Sequence, residues 1–248
     1  MAPFMPTITV MHTATVMEVT EMPTETNLIR LMSWLSPAFP VGAYTYSHGL
    51  ETAVEDGLIH DRASAGEWIV DLVALGAGRA DATLMAHAWR AIANDDEDLL
   101  MEVAEVAAAF SATSELALET EAQGAAFVKA VEAAWPTPAL DTLRRVHDGP
   151  VAYPVAVGVT AAGHELPLTE AAVAYLHAFA GNLISAVVRL VPLGQTDGLH
   201  LTRAIEPLLP KVAGTALATP LDGVASAGFL GDLKSMQHET QRTRLFRS

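Results

Sequence analysis

The chain contains no cysteine among its 248 residues, and this absence excludes several kinds of chemistry. Disulfide bonds, thiolate metal ligands and cysteine nucleophiles all need a thiol that this chain does not have. The composition is compatible with a reducing compartment, and we expect a cytoplasmic location.

Basic residues are also scarce. The chain has 14 Lys and Arg residues against 29 Asp and Glu residues, which gives a net charge of -15, and Lys129, Lys211 and Lys234 are the three lysines. A nucleic-acid-binding surface needs a dense basic field, so we expect no nucleic-acid partner. None of the lysines follows a glycine, so a Walker phosphate-binding loop is absent. Basic or metal-carrying partners suit this charge better.

A clean membrane-spanning segment and a secretory signal are absent as well. The most apolar stretch, residues 171–188, contains His177, Asn182 and Ser185, and Arg189 closes it. These polar residues favour a core helix over a membrane span. The N-terminus has no basic region followed by an apolar run, so it does not match a signal peptide.

Apolar residues recur at helical spacing along most of the chain, and no alternating pattern predicts a hairpin. With 51% hydrophobic residues the chain can bury a sizeable core. We predict an all-α, single-domain, bundle-like fold of about ten helices with little or no β structure. Residues 27–233 would form the helical domain, residues 1–26 an N-terminal arm that could be a strand, extended or disordered, and residues 234–248 a C-terminal tail.

The stretch from Ser36 to Glu51 interrupts this helical pattern. Pro37 and Pro40 end a helix near Leu35, and the chain should then run extended to Gly42. A new helix is predicted after Gly42. Near its start it would carry Tyr44, Tyr46 and His48. The stretch is either a buried corner with its aromatic side chains packed inward or a rigid recognition surface.

Two groups of residues are weak candidates for metal chemistry. His48 and Glu51 stand three residues apart on the predicted helix and could both bind nickel or zinc, but two ligands make a poor site. The acidic run Asp95-Asp96-Glu97-Asp98 resembles a magnesium cluster of all-α prenyl-diphosphate enzymes, and a metal-dependent enzyme is the second functional hypothesis. Such enzymes need another acidic motif, which is missing, so helix capping is favoured. We expect no catalytic residues and no stably bound cofactor.

The last residues combine arginine with apolar side chains. Three arginines lie in the final seven positions, interleaved with Leu245 and Phe246. Such a segment is either a frayed terminus or one that becomes ordered on a partner. The apolar pair favours partner binding.

Four separated blocks now give a specific resemblance. The stretch S-P-A-F-P-V-G-A-Y-T-Y-S-H-G-L-E at residues 36–51 resembles the N-terminal motif of the urease accessory protein family UreF. The similarity is collinear from about residue 27 to residue 248. The other blocks are Phe110–Leu116 with Glu119, Gln123, Gly124 and Phe127; Tyr153–Ala156 with Gly158, then Asn182, Leu183 and Val188–Gly198; and Arg244–Ser248.

The resemblance implies an all-α, non-catalytic protein that forms a homodimer. It would bridge the nickel-carrying GTPase UreG and the scaffold UreD, also called UreH, in a complex that handles nickel and delivers it to the urease apoprotein. Tyr44 and Arg244 match residues implicated near the GTPase-facing surface, and the tail would become ordered on UreD. Arg242-Thr243 departs from the Tyr-Ser that often precedes R-L-F-R-S. The complete predicted partner-binding set is Tyr44, Tyr46, His48, Arg242, Arg244, Leu245, Phe246 and Arg247.

Overall fold

The computed structural model describes residues 23–248, with side chains from Glu25 onward. This part of the chain contains twelve α-helices, two short 3₁₀ turns and no strand, which confirms the all-α prediction. The helices are α1 Pro23–Trp34, α2 Leu50–Glu55, α3 Arg62–Ala74, α4 Ala77–Ala93, α5 Glu97–Ala109, α6 Ser114–Ala134, α7 Pro138–Val146, α8 Tyr153–Gly163, α9 Leu168–Leu190, α10 Gln195–Ile205, α11 Leu209–Ala218 and α12 Phe229–His238.

Helix α4 lies at the centre of the core and packs against α3, α5, α8, α9 and α11. Its closest neighbour is α8, whose residues 154–161 are all buried. The absence of a side chain at Gly158 permits this approach, because a Cβ there would lie 2.3 Å from the carbonyl oxygen of Met85. Small residues thus set the spacing of the two central helices.

Aromatic side chains fix α1 and the turn that follows it to α6. Trp34 is buried and meets the ring of Phe127 edge-on, with 6.5 Å between the centroids, and Phe39 lies 5.3 Å from the same ring. Trp135, at the end of α6, contacts both Trp34 and Phe39. The turn before Gly42 is therefore held by core contacts as well as by its prolines.

Several predicted boundaries are corrected. Helix α1 begins at Pro23 instead of Asn27, because proline is well suited to the first helical position, where its missing N–H costs no hydrogen bond. Four residues assigned to the N-terminal arm are thus helical, and the rest of that prediction lies outside the described residues. The predicted boundary between residues 233 and 234 falls inside α12.

Helix α9 is long and apolar enough to cross a membrane. Its most apolar window has a mean hydropathy of 1.6, and 56% of that window is buried inside the fold. Burial against neighbouring helices of the same chain is typical of a core helix, as the polar residues within the segment indicate.

We predict that Gly158→Ala destabilises the protein by about 1–3 kcal/mol, because α4 and α8 must separate to admit the new methyl group. Gly214→Ala is the matched control. Gly214 is an exposed helical glycine with open space around its Cβ position, and alanine should stabilise the helix by up to about 1 kcal/mol. Urea unfolding measures both effects. Equal stability of Gly158→Ala and the parent chain would contradict the close approach of α4 and α8.

Candidate partner-binding surface

The segment between α1 and α2 is a series of turns, so the predicted extended run and the helix after Gly42 are both wrong. Gly42 and Gly49 adopt left-handed φ angles of 77° and 75°, and His48 has a φ of 52°. A single 3₁₀ turn at Ala43–Thr45 separates them, and α2 begins at Leu50. Glycine makes the left-handed conformation accessible. The side chains of this loop consequently diverge instead of sharing one helical face.

Tyr44 and Tyr46 lie on opposite sides of the loop. The Tyr44 residue is 62% exposed, whereas Tyr46 is 7% exposed and packs inward. The backbone carbonyl of Tyr44 accepts a hydrogen bond of 2.8 Å from Nη2 of Arg189 at the end of α9. Tyr44 is thus placed as a surface residue, and Tyr46, assigned to the partner-binding set, is a structural residue in this conformation.

His48 points into the protein and pairs with Glu119 of α6. Its Nε2 atom lies 3.0 Å from Oε1 of Glu119, and its ring meets Phe179 edge-on. Burial lowers the pKa of His48, but the charge and hydrogen bond of Glu119, together with the charges of Asp81 and Asp232, outweigh burial and leave the pKa above its usual value. Glu119 also accepts hydrogen bonds of 2.9 Å from Gln123 and from the Ser248 hydroxyl. His48 is therefore part of a buried polar network.

Glu51 binds the other end of the chain. Its buried carboxylate accepts hydrogen bonds from the backbone N–H groups of Leu245, at 2.6 Å, and Phe246, at 2.8 Å. Nε2 of His238 lies 3.3 Å from Oε2 of the same carboxylate. The weak metal-ligand candidates His48 and Glu51 do not share a helical face, because His48 precedes α2 and the two side chains bind different partners. Within residues 23–248 no group of three or more His, Asp or Glu side chains is arranged to hold a metal ion.

The C-terminal segment after α12 folds back over α2 and α6, and we call residues 239–248 the docked tail. Arg244 forms an ion pair with Glu115 of α6. The N–H of Arg247 donates to the Thr45 carbonyl at 2.8 Å, and the N–H of Ser47 donates to the Ser248 carbonyl at 3.0 Å. The tail is thus ordered against the body of its own chain.

The partner-binding residues predicted in the tail are not equally accessible. Phe246 is buried beneath the guanidinium of Arg189, which lies 4.4 Å from the ring centroid. Arg242, Arg244, Leu245 and Arg247 are exposed, and Leu245 is 66% exposed. The guanidinium of Arg244 is paired with the carboxylate of Glu115 in this conformation. Arg189 links Tyr44 to Phe246, and no local sequence pattern marks it for this role.

Helix α12 carries a surface that the sequence analysis missed. Its exposed apolar side chains, which we call the α12 stripe, include Phe229, which is 81% exposed. The sequence does carry a signal for this surface: apolar residues at positions 229, 230, 233 and 236 have the spacing i, i+1, i+4, i+7, which predicts one apolar helical face. The α12 stripe consists of Phe229, Leu230, Leu233 and Met236.

A largely apolar groove of about 920 Å³ lies along α9 and reaches the buried network at His48. Asp81 lines its inner end, where burial raises the pKa of its carboxyl to about 6 although Tyr175 donates a hydrogen bond to it at 2.8 Å. The open face of α9 carries Ala174, Ala178 and Gly181 and lines the groove, beside the exposed Met32 of α1.

The acidic run from Asp95 to Asp98 has local structural partners. The Asp96 side chain caps α5 by accepting a hydrogen bond of 2.9 Å from the Leu99 N–H, and Glu97 pairs with Arg145 of α7. These contacts are those expected of acids at a helix N-terminus.

Comparison with known proteins gives a consistent result. A family model described as UreF matches residues 59–206. The chain is 52% identical over 225 residues to the urease accessory protein UreF of Xanthobacter autotrophicus, covering 90% of this chain and 91% of that protein. It is 50% identical over 222 residues to the UreF of Rhodopseudomonas palustris strain BisB5, with coverage of 90% and 91%. The UreF of Granulibacter bethesdensis is 49% identical over 221 residues, with coverage of 89% and 94%.

Substitution of Tyr44 and of Tyr46 should change the free energy of unfolding by very different amounts. We predict that Tyr44→Ala changes the free energy of unfolding by no more than about 0.5 kcal/mol, because the side chain is exposed. Tyr46→Ala should cost about 3 kcal/mol, since it removes a buried aromatic ring. Urea denaturation followed by circular dichroism compares them, and a large loss of stability in Tyr44→Ala would show that this tyrosine is a packing residue.

Glu51→Gln should loosen the docked tail, because a neutral amide is a weaker acceptor for the Leu245 and Phe246 N–H groups. Charged hydrogen bonds of this kind contribute about 1.5–3 kcal/mol each. Hydrogen exchange at these two amides should accelerate at least about tenfold, which corresponds to a loss of about 1.4 kcal/mol.

Glu55→Gln is the control for this experiment, because Glu55 is an exposed residue of the same helix. It should leave exchange in the tail unchanged. Equal protection in both variants would mean that Glu51 does not hold the tail.

Proposed function

The chain belongs to the UreF family of urease accessory proteins, and we propose that it serves urease maturation as a non-catalytic chaperone of the cytoplasm. It would bridge the nickel-carrying GTPase UreG and the scaffold UreD, also called UreH, and so promote delivery of nickel to the urease apoprotein. The observation that carries this proposal is the exposed apolar surface formed by the α12 stripe next to the docked tail.

The α12 stripe is the proposed UreD-binding surface. Its four side chains are exposed along one helix, and Leu245 of the tail adds a further exposed apolar side chain. Exposed apolar patches of this kind mark protein–protein interfaces. Burial of large apolar side chains at the centre of an interface would supply most of the binding free energy.

The loop that carries Tyr44 is the proposed contact for UreG. Tyr44 is exposed, and its backbone is fixed by Arg189. Arg244 would act indirectly, because its guanidinium is bound to Glu115 and thereby positions the tail beside this loop. Tyrosine suits such a role, since it offers a large, rigid contact area together with a polar hydroxyl.

We further propose that two copies associate through the open face of α9. Ala174, Ala178 and Gly181 would let a second helix approach closely, and the exposed side chains of Leu28 and Met32 on α1 would flank it. Sedimentation velocity would test this association. Nickel would be the cargo of the complex, and we expect this chain to bind no cofactor stably.

The central experiment is co-purification with UreD and UreG, combined with urease activation in a deletion strain. The double variant Phe229→Asp with Leu233→Asp should weaken UreD binding at least about tenfold, equivalent to about 1.4 kcal/mol, and lower urease activation. Both residues are exposed, so the fold should remain intact.

Leu199→Asp provides the control, because Leu199 is an exposed apolar residue on α10. It should bind and activate as the parent chain does. Failure of the parent chain to bind either protein, with normal urease activation in its absence, would refute the bridging role.

A further inference from the structure

His238 occupies an unusual position between two acidic side chains. Its side chain is fully buried; Nδ1 lies 2.6 Å from Oε2 of Glu115, and Nε2 lies 3.3 Å from Oε2 of Glu51. A neutral imidazole carries one N–H group and one lone pair, so it can donate to only one of these carboxylates. In the neutral ring the remaining nitrogen would direct its lone pair at a carboxylate oxygen.

Both carboxylates already act as acceptors toward the docked tail. The two oxygens of Glu51 accept the N–H groups of Leu245 and Phe246, and Glu115 pairs with Arg244. These contacts favour ionised carboxylates. His238 therefore faces two anions in an environment where an unpaired charge is costly.

We propose that His238 is held as an imidazolium and that its proton controls the docking of residues 239–248 onto α2 and α6. The ring joins α12 to both carboxylates that bind the tail, so loss of the proton would set one of them against a lone pair. The tail would then leave, exposing Glu51 and Glu115 to water.

The other charged groups near His238 are paired elsewhere, so His238 is the group whose proton can control docking of the tail. On α12, Lys234 pairs with Asp56, and at the start of the tail Glu239 binds Ser114. At the far end of the tail, His48 and Glu119 form a separate pair that binds Ser248.

The direction of the pH dependence follows from proton counting. The docked state holds one proton on His238 that the released state gives up to solvent at high pH, so docking weakens as pH rises. For a single linked proton, the released fraction grows by up to about tenfold per pH unit. This property belongs to the chain alone and goes beyond the proposed function.

Nitrogen-15 NMR of the full-length protein tests the charge state directly. We expect both ring nitrogens of His238 to carry protons at every pH at which the Leu245 and Phe246 amides are protected from exchange. A ring with one bare nitrogen while those amides stay protected would overturn the proposal.

Trypsin cleavage after Arg244 tests the release of the tail. Dividing the rate by that of a free peptide of residues 239–248 removes the pH dependence of the protease. The corrected rate should rise by up to about tenfold per pH unit where release of the tail is accompanied by loss of the His238 proton. His60→Gln, which changes an exposed histidine beside Asp61, should reproduce the parent profile. A flat parent profile from pH 6 to pH 9 would refute the switch.

Glu115→Gln removes one of the two negative charges beside His238 but keeps the size of the side chain, and it leaves the buried His238 ring in place. Its amide can donate to Nδ1 while its oxygen accepts from Arg244, so a neutral His238 could then donate to Glu51 from Nε2. We expect this variant, once its fold is verified by circular dichroism, to keep the tail docked and lose the pH dependence. An unchanged pH profile would contradict the proposal.

Discussion

The buried carboxylate of Glu51 imposes a requirement that its own helix cannot meet. A buried charge needs hydrogen-bond donors or an opposite charge, and leaving one unpaired costs several kcal/mol. The backbone N–H groups of Leu245 and Phe246 supply the donors from a position 194 and 195 residues further along the chain. This interaction brings the C-terminal tail onto α2 and places it beside the loop that carries Tyr44.

Loop and tail consequently form one composite surface. Arg189 binds the backbone of the loop at Tyr44 and covers the ring of Phe246 in the tail. A second link runs from His48 through Glu119 to Ser248. Because the two segments share these partners, displacement of the tail removes contacts that hold the loop. A protein that binds one segment therefore changes the free energy of the other, which is the physical requirement for coupling two binding sites.

The helices were largely predictable because their signals are local. Apolar spacing marked them, and Pro37 marked the end of the first. The site was not predictable in the same way. Gly42 and Gly49 take left-handed conformations that periodicity does not encode, so His48 does not lie on the helix that carries Glu51. Contacts between residues almost 200 positions apart leave no pattern in either segment.

The core and the docked tail are held by different forces, and they differ in sensitivity to conditions. The core is stabilised by apolar burial around α4 and α8, and this term does not depend on the protonation state of a side chain. In the tail, Phe246 is the large apolar side chain that becomes buried, while charged hydrogen bonds at Glu51, Glu115 and Glu119 act together with backbone hydrogen bonds to Thr45 and Ser47. Charged contacts weaken when a proton is gained or lost. Loss of these charged contacts can therefore release the tail while the helical body keeps its structure.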